Sequence, residues 1–83
     1  MDISTQERLE ILEELIVETA QKVADIERRL KREIVKNDVL KLMRVYDLHK
    51  QGQLQTDLTH AREELEAFQT FRDKLSAQVG SAE

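Results

Sequence analysis

The fold is decided by residues 9–30, LEILEELIVETAQKVADIERRL. Apolar residues recur here at alternating spacings of three and four, which place side chains on one face of an α-helix, as in a coiled coil. This first seam, apolar except at one threonine, comprises Leu9, Leu12, Ile16, Thr19, Val23, Ile26 and Leu30. The stretch therefore predicts a long amphipathic helix that packs against another helix.

The composition favours a single all-α domain. The 83 residues include no proline and only two glycines, although these two residue types build most turns between strands. Hydrophobic residues make up 40% and charged residues 36%, with the strong helix formers dominant. The sequence has no cysteine, which excludes disulfides and thiolate chemistry. A core of this size rarely supplies more than about 3–5 kcal/mol, so we expect another chain to contribute.

The first helix is predicted to span residues 5–35. Ser4 followed by Glu7 fits a capping box at its start. Beyond residue 34 the apolar side chains, beginning with Val35, point away from the first seam. A turn at residues 36–38 explains this change of direction, because Asn37 can adopt the left-handed conformation that ends helices and Asp38 can cap the next one.

The second helix is predicted to span residues 39–79, followed by a frayed tail at residues 80–83. Its seam comprises Val39, Leu42, Tyr46, Leu54, Leu58, Ala61, Leu65, Phe68, Leu75 and Val79. Gly52 then lies inside a helix, at a cost of about 1 kcal/mol. The alternatives are a turn at residues 51–53, Gln-Gly-Gln, and a kinked or three-helix arrangement.

The expected fold is therefore an antiparallel two-helix coiled-coil hairpin within a dimeric four-helix bundle or a heteromeric bundle. A contact between two helices needs only a narrow apolar stripe. Ile11 and Leu15 widen the first stripe, and Val45 and Leu48 make residues 39–48 apolar nearly all round. We count these four residues among the partner-binding candidates and expect a homodimer or a heteromer, with a dimer favoured, rather than a monomer.

Four further partner-binding candidates follow from the predicted turn. With a turn near residue 37, Leu65 lies opposite Leu9, and the second helix continues past the first from about residue 70. This overhang and its root contain Phe68, Phe71, Leu75 and Val79, at the spacing used when a helix binds in a groove. A frayed terminus is the alternative explanation.

Charge is distributed unevenly along the chain. Residues 1–20 carry a net charge of −5, residues 21–50 carry +4 and residues 51–83 carry −3. The one basic cluster comprises Arg28, Arg29, Lys31, Arg32 and Lys36. It fits a solvated helix face, a surface for an acidic protein, or a nucleic-acid site. The overall charge of −4 disfavours nucleic acid.

The sequence shows no pattern of a catalytic, metal, cofactor or small-molecule site. His60 and Glu64 are four residues apart, which supplies two ligands where a metal site needs three or four. No phosphate-binding loop or activated nucleophile is recognisable. The acidic N-terminus does not resemble a signal peptide, and the longest apolar run, residues 15–17, is too short to span a membrane. We expect a cytoplasmic protein that is not an enzyme.

The expected function is that of a protein-interaction module: an adaptor, a co-chaperone or an assembly factor that binds through apolar helix faces. In size and layout the predicted hairpin resembles the small hairpin co-chaperones of type III secretion, which hold needle subunits in the cytoplasm. This resemblance is one of fold, and fold alone does not fix function. The alternative is a small helical regulator that binds nucleic acid through the basic region near the turn.

Overall fold

The protein is a hairpin of two long antiparallel helices, so the predicted all-α hairpin fold is confirmed. The computed structural model describes the backbone of residues 2–81 and the side chains of residues 2–79. Helix α1 spans Thr5–Leu42 and helix α2 spans His49–Ser81. Residues 43–48 connect them, and the molecule measures 65 × 21 × 17 Å.

The first helix begins and packs as its sequence predicts. The Ser4 Oγ accepts a hydrogen bond from the Glu7 backbone N–H at 3.1 Å and thereby caps the helix. All seven first-seam residues are buried or half-buried. In the best-packed segment, Ile26 and Leu30 of α1 form a core cluster with Leu58 and Ala61 of α2. The apolar spacing of residues 9–30 thus positions α1 against α2.

The predicted turn at residues 36–38 is wrong, because α1 continues through it to Leu42. Asn37 is not a helix terminator but a seam residue with only 2% of its surface exposed. Its Nδ2 donates a hydrogen bond to Gln51 Oε1 at 3.1 Å. The alternative turn at residues 51–53 is also wrong, since Gly52 lies inside α2 and its N–H donates to the Leu48 carbonyl at 2.9 Å.

The true turn lies between those two positions and is fixed by backbone hydrogen bonds. Arg44 follows the last helical residues with a φ of 58°. The Val45 N–H donates to the Leu40 carbonyl at 3.2 Å, and the Arg44 N–H donates to the Lys41 carbonyl at 3.1 Å. This is the Schellman pattern that closes helix C-termini. The Asp47 Oδ1 then accepts from the His49 N–H at 2.9 Å, so Asp47 performs the capping role expected of Asp38.

The later turn changes the register, so the predicted overhang of α2 does not exist. Arg72 of α2 contacts Glu13 of α1 at 3.5 Å. From these residues α1 extends eight residues to Thr5 and α2 extends nine residues to Ser81, so the helices end within about one turn of each other. Helix α2 also continues into the predicted frayed tail as far as Ser81, and residues 82–83 lie outside the described part of the chain.

Candidate protein-interaction surface

Exposed apolar side chains are concentrated at the turn end of the hairpin. Among the described residues, eleven large hydrophobic side chains are exposed, and seven of them lie between residues 35 and 48. We call these seven the tip surface: Val35, Val39, Leu42, Met43, Val45, Tyr46 and Leu48. Contiguous exposed apolar surface on a small protein marks a binding surface more often than chance.

The tip surface arises because α1 has a second apolar face near its end. Val35, Val39 and Leu42 follow the i, i+4, i+7 spacing of one helix face, and Leu42 is 87% exposed. The adjoining loop residues Val45 and Leu48 also remain exposed. The change of apolar direction at residue 35 is therefore real. Its cause is a solvent-facing stripe on a continuous helix rather than a turn.

Positive charge predominates in the part of the chain that forms the tip surface. Residues 28–54 contain eight basic and three acidic residues, a net charge of +5. The Lys41 Nζ lies 5.7 Å from the centroid of the Tyr46 ring, within the range of a cation–π contact. An apolar surface with a basic rim is complementary to an apolar surface with an acidic rim.

The predicted basic cluster is exposed, and part of its charge is neutralised within α1. Arg28 and Arg29 contact Asp25 at 3.9 and 3.0 Å, and Lys31 contacts Glu27 at 3.8 Å. Within the described residues, the remaining two members, Arg32 and Lys36, form no ion pair. These two side chains therefore contribute most of the positive charge that remains free.

Some of these basic side chains line an open groove between the helices, which also contains one carboxylate. Arg29, Arg32 and Lys36 of α1 line it, together with Lys50 and Leu54 of α2. Glu33 lies in the same groove with 8% of its surface exposed, and its Oε2 is 3.9 Å from the Lys50 Nζ. The carboxylate offsets part of the positive charge, so the groove is only moderately basic.

The structure separates the eight predicted partner-binding residues. Val45 and Leu48 belong to the tip surface, whereas Ile11 and Phe71 are exposed near the opposite end. The remaining four, Leu15, Phe68, Leu75 and Val79, are half-buried. The last three belong to the half-buried α2 seam. The prediction that they form an uncovered overhang is therefore wrong.

Sequence reasoning missed part of the tip surface. The apolar pattern assigns Val39, Leu42 and Tyr46 to the seam of the predicted second helix and gives Met43 no role. The useful signal was the direction of Val35, Val39 and Leu42, opposite to the first seam. Such a signal indicates either a turn or an exposed second face, and periodicity alone does not separate the two.

The described residues contain neither a metal-binding cluster nor a membrane-spanning segment. His49 and His60 are both exposed. In that part of the chain no three histidine, aspartate or glutamate side chains lie close enough together to hold a metal ion. Neither described helix contains a segment that is long and apolar enough to cross a membrane.

Comparison of the chain with protein-family models, with curated proteins and with solved structures found no match.

Proposed function

We propose that this protein is a small cytoplasmic protein-interaction module, an adaptor, co-chaperone or assembly factor that binds a partner protein through its apolar tip surface. One observation carries the proposal: seven of the eleven exposed large hydrophobic side chains described lie within residues 35–48. A protein that worked alone would gain stability and solubility from polar residues at these positions, because exposed apolar surface promotes association.

The composition of the tip surface suits a protein partner. Tyr46, Met43 and the nearby arginine Arg44 are residue types enriched at protein interfaces. The basic rim favours a partner whose apolar surface is bordered by acidic residues, since opposite potentials accelerate association and fix orientation. Burial of the aliphatic side chains supplies the affinity, at roughly 25 cal/mol per Å² of apolar area before the costs of association.

The test compares two matched double variants of the full chain in quantitative affinity capture. Val45→Ser with Leu48→Ser removes two exposed apolar side chains from the tip, 62% and 47% exposed. Ile11→Ser with Phe71→Ser removes two that are 44% and 50% exposed at the other end. We expect the tip variant to lose the captured protein and the control to retain it. Equal capture by the two variants contradicts the proposal.

A second candidate function is nucleic-acid binding through the basic region near the turn. The observation in its favour is the pair of unneutralised cations, Arg32 and Lys36, within a segment of net charge +5. Binding of single-stranded or duplex RNA, measured by fluorescence anisotropy, would have to weaken steeply with salt. Arg32→Glu with Lys36→Glu would then abolish it, and Val45→Ser with Leu48→Ser would leave it unchanged.

A further inference from the structure

The outer face of α1, its solvent-exposed side, carries two blocks of opposite charge, and Arg32 and Lys36 at its edge also line the groove beside α2. Glu10, Glu14 and Glu18 are exposed in its first half, and Arg28, Arg32 and Lys36 are exposed in its second half. Each acid is 18 residues from the corresponding base, which is five full turns of an α-helix at 3.6 residues per turn. Each acid therefore has the same direction around the helix axis as its corresponding base, and the two blocks occupy the same face.

These charges are not neutralised by each other within one chain. A separation of 18 residues corresponds to about 27 Å along the helix axis, beyond the screening length of about 8–10 Å near physiological ionic strength. Among the described residues, Glu10, Glu14, Glu18, Arg32 and Lys36 form no ion pair. Arg28 has one exposed contact with Asp25.

A face with this order of charges is complementary to itself when reversed. We infer that the outer face of α1 binds the same face of a second copy of this chain in antiparallel orientation, as an isologous dimer with a two-fold axis near residue 21. In this register Glu10 lies beside Arg32 of the other copy and Glu14 lies beside Arg28. The two-fold axis repeats both contacts, which gives four ion pairs between the copies.

One pair of exposed apolar residues, Ile3 and Val39, supports the same register. Ile3, Val17, Val35 and Val39 are exposed large hydrophobic residues on α1 or just before it. The antiparallel register places Ile3 level with Val39 of the other copy on both sides of the two-fold axis, whereas Val17 falls level with Asp25 and Val35 with Glu7. A parallel, in-register pairing would instead place acid beside acid and base beside base, and like charges at close range cost affinity.

The dimer leaves the turn loop free, so the inference goes beyond the proposed function. Along the helix axis Thr5 of one copy is level with position 37 of the other, and the loop from Met43 to Leu48 extends past the start of the other α1. The part of the tip surface formed by Val45, Tyr46 and Leu48 remains available to a different protein. Dimerisation and partner binding therefore fail separately when tested.

The experiment is a charge swap, followed by sedimentation equilibrium of the purified full chain. The first variant combines Glu10→Lys with Glu14→Lys, and the second combines Arg28→Glu with Arg32→Glu. We expect each to raise the dimer dissociation constant by about tenfold or more, because all four cross-copy pairs become repulsive. The quadruple variant, which combines all four substitutions, restores every pair with its charges reversed. It should regain the dimer dissociation constant of the wild type. An equimolar mixture of the two double variants should form a heterodimer.

A matched control reverses two charges away from the proposed interface. Glu63→Lys with Glu66→Lys makes the same change in net charge at two exposed positions of α2 and should leave the dimer intact. Circular dichroism of every variant establishes that the helices form. Any of three results overturns the inference. The wild-type protein remains monomeric, the control dimerises as weakly as the first variant, or the quadruple variant is helical but stays monomeric.

The tip variant separates this inference from the proposed function. Val45→Ser with Leu48→Ser should leave the dimer dissociation constant unchanged, and its loss of dimerisation would overturn the register. Monomeric wild-type protein that still captures a partner through the tip would refute the dimer and leave the proposed function standing.

Discussion

The buried amide of Asn37 leads to an unusual prediction about its more exposed partner, Gln51. The two side chains share one hydrogen bond of 3.1 Å between α1 and α2. Asn37 has 2% of its surface exposed, whereas Gln51 is half-buried. Replacement of Gln51 by Ala leaves a buried amide without its partner. Replacement of Asn37 by Ala leaves an amide that can turn toward water.

The expected magnitudes follow from that asymmetry. Asn37→Ala removes a hydrogen bond with a net value of about 0.5–1.5 kcal/mol and a few buried atoms, so we expect a loss of about 1–2 kcal/mol. Gln51→Ala should cost at least as much, about 1–3 kcal/mol, because the desolvation of the Asn37 amide is no longer compensated. For a chain of this length each kcal/mol lowers the melting temperature by roughly 4–8 °C.

A double-mutant cycle measured by urea unfolding tests the reasoning. The double variant Asn37→Ala with Gln51→Ala should lose about 1 kcal/mol less than the sum of the two single losses, since the second substitution no longer breaks the bond. Gln55→Ala, at an exposed position of α2, is the control and should change stability by less than about 0.5 kcal/mol. A Gln51→Ala variant as stable as this control, or strictly additive effects, would refute the proposed role of the buried amide.

Two further predictions concern the turn and are measured by the same unfolding assay. Arg44→Gly should stabilise the hairpin by about 0.5–1 kcal/mol, because the φ of 58° at this position costs less for glycine than for arginine; a loss of stability would contradict the left-handed conformation. Gly52→Ala should stabilise by about 0.5–1 kcal/mol, because a Cβ there would meet no atom within 4 Å and alanine favours the helix. Its control is Ala67→Gly at an exposed position of α2, which should cost a similar amount, and a destabilised Gly52→Ala variant would place the turn at Gly52 after all.

The local part of the fold could be predicted from the sequence, because its information lies within a few residues. The Ser4 cap and the seam from Leu9 to Leu30 depend on spacings of three and four along one helix. The hairpin class follows from two such helices in a short chain. Neither inference requires knowledge of which residues meet across the interface.

The turn could not be located in this way because the seam continues with polar residues. After Leu30 the next buried positions of α1 are Glu33 and Asn37, which a hydrophobic pattern does not count. Over the same segment Val35 and Val39 face solvent, so the apolar pattern points the wrong way. The left-handed residue just after α1 is Arg44, rather than the glycine or asparagine that usually occupies such a position.

The misplaced turn explains the errors in the candidate site. A turn near residue 37 would leave the end of α2 unpaired, and this produced the false overhang that includes Leu75 and Val79. Val45 and Leu48 were selected for a different reason, the apolar character of their whole segment. That criterion does not depend on register, so the corrected position of the turn leaves it unchanged.

The length of the hairpin fixes how far apart its two ends can act. Helix α1 has 38 residues and is therefore about 57 Å long. Thr5 and Ser81 lie together at one end of this rod, and the tip surface lies at the other. A protein bound at the tip and a protein attached beside the helix termini are held apart by roughly the diameter of a medium-sized globular domain. Insertion or deletion of whole heptads in both helices would change the distance between the two ends of the rod without changing either end.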